Sequence, residues 1–145
     1  GPRASRLGRR RGGDVPPHKN CMLVVENHED SANALISWLK TRGLRAVHAR
    51  DSKEALQILE DVVYLDAGFS RVLVDHGLPD GPGSHVAQSF LNEAPSTRVA
   101  MMAAHQDLSL TIWTRAHGVP VFEKPILVSQ LKRWLDSPLE LAMEI

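Results

Sequence analysis

Arg71-Val72-Leu73-Val74-Asp75-His76-Gly77-Leu78-Pro79-Asp80-Gly81 is the stretch on which the reading of this chain turns. A valine-rich apolar run ends in one carboxylate and then in glycine and proline, the pattern of a buried parallel strand that stops where a loop begins. Asp75 therefore falls at the carboxyl end of that strand. In open α/β sheets ligands and chemistry collect at this edge, because helices cover both faces and the loops converge outside the strand ends. A strand-end aspartate alone does no more than cap a turn, so its role depends on what the other strand ends bring beside it.

The chain has 145 residues, 43% of them apolar, which suits one globular domain with a core of useful size. No apolar run approaches the ~18 residues of a membrane-spanning helix, and no apolar signal core follows the basic start. The expectation is a cytoplasmic protein without a membrane span. Cys21 is the single cysteine; it cannot form an internal disulfide, which agrees with a reducing compartment, and its place at the head of an apolar strand marks it as a packing residue.

A net charge of zero hides an asymmetry. Arg3, Arg6, Arg9, Arg10 and Arg11 lie among glycines before the first acid, leaving twelve basic against seventeen acidic side chains in residues 14–145. Residues 1–19 read as a disordered basic arm or linker, and 138–145 as a C-terminal tail. No aromatic residue interleaves the arginines to stack on bases, which argues against nucleic acid as a partner.

Outward from the Asp75 strand, apolar runs and helical periods alternate. Strands are predicted over 21–25, 44–49, 71–75, 98–103 and 119–122, and helices over 29–42, from 51 through 60, 84–92, 107–117 and 127–135. Asp51 and Glu54 form a capping pair for the second helix, and Gly43 and Gly118 follow helix ends. Inward faces are assigned to Ala32, Leu35, Ile36 and Leu39; to Ala55, Leu56 and Leu59; to Val86, Ala87, Phe90 and Leu91; to Ile112 and Ala116, leaving Trp113 exposed; and to Leu127, Leu131, Trp134 and Leu135. Residues 61–70 show no clear period and read as a long loop, yet Val62, Val63, Tyr64, Leu65 and Phe69 are too apolar to be idle. A partner surface and extra helical turns both remain open there. Five βα units imply a parallel sheet with right-handed crossovers and helices on both faces.

With the strand ends set side by side, the chain resembles the receiver domain of two-component response regulators over roughly residues 20–137. The resemblance rests on Leu23-Val-Val-Glu26-Asn27, on Val72-Leu-Val-Asp75-His-Gly-Leu-Pro-Asp-Gly81, and on Phe122-Glu-Lys124-Pro125-Ile, in that order and register. Gly118-Val-Pro-Val-Phe-Glu-Lys124-Pro125 looks most like receivers attached to hybrid sensor kinases. The resemblance implies a flavodoxin-like (βα)5 fold with a sheet of order 2-1-3-4-5. It also implies Asp75 as phosphoacceptor, Lys124 as its catalytic partner, and Mg²⁺ held by Glu26, Asn27, Asp75 and the backbone carbonyl of Gly77. The expected partners are a histidine kinase or histidine phosphotransfer protein, with a homodimer through the fourth-helix to fifth-helix face as a further expectation. At most, the enzymatic activity is metal-dependent self-phosphorylation.

Three departures accompany the match. Asn27 stands where the family offers a carboxylate, so metal affinity is expected to drop. Ala103 stands where the fourth strand usually ends in a hydroxyl donor to the phosphoryl group. The aromatic switch position falls on Val121, with Phe122 as the alternative, and His105 lies where side chains influence acyl-phosphate lifetime. Two functions survive: a phosphoacceptor with weakened metal binding and switching, and a pseudo-receiver that binds proteins without phosphorylation. A flavodoxin-like nucleotide site is disfavoured, because Glu26-Asn-His-Glu-Asp30 offers no glycine-rich phosphate loop after the first strand.

Overall fold

The computed structural model describes residues 18–65 and 68–137. Of the expected arm over 1–19, residues 1–17 lie outside the described residues, as does the expected tail over 138–145. In chain order the elements are β1 (His18–Val25), α1 (Glu29–Thr41), β2 (Arg45–Ala49), α2 (Ser52–Leu65), β3 (Phe69–Asp75), α3 (Gly83–Glu93), β4 (Arg98–Ala103), α4 (Leu108–His117), β5 (Val121–Glu123) and α5 (Val128–Asp136). A two-residue antiparallel pairing of Gly77–Leu78 with Gly81–Pro82 lies between β3 and α3. β1 starts at His18, inside the stretch read from composition as an arm.

All strands of the five-stranded sheet run parallel, in order β2-β1-β3-β4-β5. The expected flavodoxin-like (βα)5 fold is therefore present. β3 occupies the centre, and each of its residues is buried. Alternation along the strands sorts two cores. Leu23, Val25, Val72, Val74, Met101 and Ala103 face Leu59, Phe90 and Leu110 of α2, α3 and α4. Met22, Val24, Leu73, Ala100, Met102 and Phe122 face Leu39 of α1 and Leu131, Trp134 and Leu135 of α5. Each fully buried Leu or Phe adds about 1.5–3 kcal/mol of transfer free energy, so both faces need covering.

The 61–70 segment resolves in favour of extra helical turns. α2 continues to Leu65, Val62 and Val63 pack on the core, and Phe69 opens β3. Residues 62 and 63 extend the inward row of Ala55 and Leu59, a continuation too short to announce its own period. Leu56 departs from expectation: it is 37% exposed, because the row 55-59-62 leaves it about 100° round the helix.

α4 also turns differently from the expected phase. Leu110 and Thr114 are its buried residues, while Ile112 and Ala116 are exposed. Asp107 caps the helix by accepting from the Leu110 N–H at 2.8 Å, satisfying an otherwise unpaired first-turn donor. Thr114 can face inward because its hydroxyl donates to the Thr111 carbonyl at 3.2 Å. Trp113 is half-buried rather than exposed, and its indole N–H donates to Gln88 Oε1 at 3.2 Å. Leu127 is likewise exposed, since it sits at the N-cap of α5 rather than on its inward side.

At the amino edge of the sheet, register neighbours Arg71 and Arg98 hold the end of α5. Arg71 donates to the Leu135 carbonyl at 2.8 Å and Arg98 to the Ser137 carbonyl at 3.3 Å, a favourable use of cations at a helix C-terminus.

At the opposite edge, Gly83 opens α3 directly against the chain leaving β3. A Cβ there would overlap the carbonyl oxygen of Asp75. Gly83→Ala is expected to lower stability by about 1–3 kcal/mol, the range of overpacking, and to shift Asp75. A urea midpoint equal to that of the natural chain would show that the α3 start gives way freely.

Candidate functional site at the carboxyl edge

Glu26 immediately follows β1. Its N–H donates to the Ala49 carbonyl at 3.0 Å, and its own carbonyl lies 2.7 Å from His48 Nε2. Backbone bonds to β2 on one side and to the His48 ring thus hold the residue in place. Its side chain turns inward and is 2% exposed. Asp75 ends β3 with 5% side-chain exposure. The His76 N–H donates to the Met102 carbonyl, and the Lys124 N–H to the Ala103 carbonyl, so β3, β4 and β5 are stitched together just beyond their ends.

Lys124 closes the cluster. Its ammonium lies 2.6 Å from Glu26 Oε1 and 2.6 Å from Asp75 Oδ2. The remaining oxygens are also engaged, with Glu26 Oε2 accepting from the His28 N–H at 3.0 Å and Asp75 Oδ1 from the Gly77 N–H at 3.1 Å. The Lys124–Pro125 peptide is cis.

Electrostatics follow from these bonds. Burial works to raise the Glu26 pKa, yet the hydrogen bonds from Lys124 and from the His28 N–H outweigh it and leave the carboxyl below its ordinary value. For Lys124, burial works to lower the pKa, and the bonds to Asp75 and Glu26 reverse this and hold the ammonium above its ordinary value. Both shifts favour the charged pair. Its stabilisation is present at neutral pH; the Glu26 share is lost as pH falls through the lowered folded pKa, and the Lys124 share as pH rises through the raised one.

Two carboxylates against one ammonium leave a surplus negative charge in a buried pocket, the electrostatic condition for a cation. One donor atom each from Glu26, His28 and Asp75 lies within 4.8 Å of the other two, close enough to share one metal ion. The donor set fits a divalent cation.

The sequence-predicted residues thus fall into two groups. Glu26, Asp75 and Lys124 are brought into contact, and Gly77 joins them through its N–H to Asp75. Asn27 follows Glu26 and is exposed. Ala103 is buried at the end of β4, Val121 packs in the same core, and Phe122 faces the other core with its ring 5.9 Å from Trp134. His105 is exposed beyond β4, and His76 keeps its Nδ1 buried without a hydrogen-bond partner. His28 is not among the site residues read from the sequence. The available signal was Glu26-x-His28 across a strand-to-helix turn.

Residues 22–136 match the family described as response regulator receiver domain. The chain belongs to that family. Among solved structures, this receiver domain is similar to the signal receiver domain of an HD domain-containing protein from Pseudomonas fluorescens Pf-5, at 22% identity and a TM-score of 0.75, covering 90% of this chain and 100% of that one. A CheY-like response regulator receiver domain protein from Methanospirillum hungatei JF-1 is 20% identical, with a TM-score of 0.71, covering 87% of this chain and 98% of that one. A response regulator from Burkholderia pseudomallei, solved with a phosphorylated aspartic acid, calcium ion and citrate, is 19% identical, with a TM-score of 0.71, covering 86% of this chain and 71% of that one. Identities this low carry the fold and nothing finer. No curated protein matches the chain. Among the described residues of this receiver domain, no helix is long and apolar enough to cross a membrane.

Removing the ammonium leaves two buried carboxylates facing each other. Lys124→Met is expected to destabilise this receiver domain by about 2–3 kcal/mol, below the ~3–5 kcal/mol of a fully buried pair, because the Lys124 side chain is 23% exposed. Adding Asp75→Asn should recover much of the loss. Denaturant unfolding of the two single variants and the double variant checks this; additive losses would show that the carboxylates do not act on each other through Lys124.

Proposed function

We propose that Asp75 accepts a phosphoryl group from a phosphohistidine on a histidine kinase or histidine phosphotransfer protein, which makes this chain the receiver of a two-component phosphorelay. The observation that carries the reading is the Lys124 ammonium, bonded at 2.6 Å to both Asp75 and the buried Glu26. The Burkholderia relative shows that this fold can carry a phosphorylated aspartic acid with a calcium ion present.

Asp75 is the nucleophile. A lone pair on one of its oxygens forms the new O–P bond while the donor's N–P bond breaks, and that electron pair returns to the donor imidazole nitrogen, which takes up a proton. Lys124 holds the Asp75 oxygen before transfer and a phosphoryl oxygen after it, and the Gly77 N–H orients the second carboxylate oxygen. Glu26, Asp75, the Asn27 amide and the Gly77 carbonyl would hold Mg²⁺, which when bound would supply neutralisation of the charge on the phosphoryl group. Asn27 brings no charge, so this affinity is weaker than that of a three-carboxylate site.

Switching is weaker too. A hydrogen bond to a charged group contributes about 1.5–3 kcal/mol, and coupling between sites typically amounts to about 1–3 kcal/mol. Ala103 has no hydroxyl, so the bond that would draw the β4–α4 loop toward the phosphoryl group is missing, and its loss is as large as the coupling itself.

A second reading has an observation of its own. Leu108 and Ile112 on α4 are 74% and 59% exposed, and Leu127 and Val128 at the head of α5 are 59% and 54% exposed. Apolar side chains left in water on these helices favour a pseudo-receiver that binds a protein, or a second copy of itself, through the α4–α5 face without phosphate.

Intact-mass measurement after incubation with acetyl phosphate and Mg²⁺ separates the two. Phosphoacceptor chemistry predicts a single added phosphoryl group that is absent in Asp75→Asn. Amide shifts of α4 and α5 on adding beryllofluoride should be small in the natural chain and larger in the Asn27→Asp, Ala103→Thr double variant. No covalent label under any metal would leave the pseudo-receiver reading standing.

A further inference from the structure

We infer that His28 is a nitrogen ligand to the cation held by Glu26 and Asp75, so that this receiver selects a borderline transition-metal dication of the Co²⁺ and Ni²⁺ kind over Mg²⁺. The inference rests on the reading of the carboxyl-edge cluster as a cation site, and it changes which cation the site is built for.

Position is the first argument. His28 is the N-cap of α1, and its backbone N–H is fixed to Glu26 Oε2 at 3.0 Å. Its ring is thereby anchored beside the buried carboxylates, with Nδ1 3.3 Å from Glu26 Oε2. That contact is long and weak, and the side chain is 71% exposed. Little opposes a rotation that trades it for a metal bond. With Asp75 included, one donor from each residue lies within 4.8 Å of the others, and the same ring rotation closes that spread to the at most about 4.4 Å that two bonds of about 2.0–2.2 Å to a common ion can span.

Charge is the second. Among the described residues, Lys124 and His28 are the basic side chains paired with Glu26 and Asp75. With the His28 imidazole neutral, two carboxylates face one ammonium, and the cluster holds one uncompensated negative charge at 2–5% exposure, where an unpaired charge is costly. A dication relieves it, and a neutral imidazole adds a ligand without adding charge.

Ligand type is the third. Mg²⁺ demands oxygen donors and gives up its waters reluctantly, and here one neighbouring carboxylate is replaced by the neutral Asn27. Imidazole suits later first-row ions, and affinity for a mixed nitrogen and oxygen site rises from Mn²⁺ toward Ni²⁺. The same residues that make a poor Mg²⁺ site make a serviceable transition-metal site.

The test uses the full chain with metal ions alone. Calorimetric titrations with Co²⁺ and with Mg²⁺ are compared between the natural protein and His28→Asn, with Glu26→Gln as a control for binding at other histidines. His28→Asn is expected to weaken Co²⁺ at least about tenfold, the low end of what losing even an outer partner costs a metal site. Mg²⁺ affinity should change less than about twofold, as for a surface substitution. Pulsed electron paramagnetic resonance of the Mn²⁺-loaded protein should show a directly bound nitrogen that disappears in His28→Asn. An unchanged Co²⁺ to Mg²⁺ ratio, Co²⁺ binding that survives Glu26→Gln intact, or a nitrogen coupling that survives His28→Asn would each overturn the inference. A phosphorylated Asp75 with no nitrogen coupling would overturn it while leaving the phosphoacceptor reading in place; nitrogen coupling with an Asp75 that never labels would do the reverse.

Discussion

The structure depends on one ammonium between two buried carboxylates. Glu26 and Asp75 end adjacent parallel strands, and at 2% and 5% side-chain exposure they would repel each other and lose their hydration with nothing in return. Lys124 reaches them from the end of β5, spanning the end of β4 on the way. A short residue suits that position, and Ala103 occupies it. The backbone N–H of Lys124 bonds the Ala103 carbonyl, so the lysine is fixed by main chain before its side chain does any chemistry. The same lysine closes the sheet edge through its main chain, sets the charge of the site and holds Asp75.

Much of this was legible in the sequence because buried parallel strands read as apolar runs, and the residue that ends each run is placed at the edge by topology alone. Val72-Leu-Val-Asp75 and Leu23-Val-Val-Glu26 needed no more than that. Helix phase was harder. Ile112 and Ala116 look more apolar than Thr114, but Leu110 and Thr114 form the buried row of α4, and Thr114 satisfies its hydroxyl within its own helix. The length of α2 was hidden because Val62 and Val63 continue its inward row too briefly to set a period of their own. His28 stayed invisible because its contact with Glu26 forms across a turn whose geometry a residue pattern does not specify.

On the proposed phosphoacceptor reading, the departures at Asn27 and Ala103 act on different links of the chain from site to output. Asn27 changes the charge offered to a cation. Ala103 leaves that charge alone and removes the donor through which a phosphoryl group would move the β4–α4 loop. On that reading phosphorylation and switching are separable, and the apolar side chains of α4 and α5 are exposed without either. With His28 beside the carboxylates, the cation that completes the site is a matter of ligand chemistry as well as charge. Cys21 stays outside this account; burial pushes its thiol pKa up, away from reactivity.

The central claim is that Asp75 forms the acyl phosphate, and reductive trapping tests it most directly. The chain is treated with acetyl phosphate and a divalent cation, reduced with borohydride to convert any aspartyl phosphate to homoserine, digested, and mapped by mass spectrometry. The account predicts homoserine at position 75 and nowhere else. Modification at another carboxylate, or none at position 75 with either Mg²⁺ or Co²⁺ present, would contradict it.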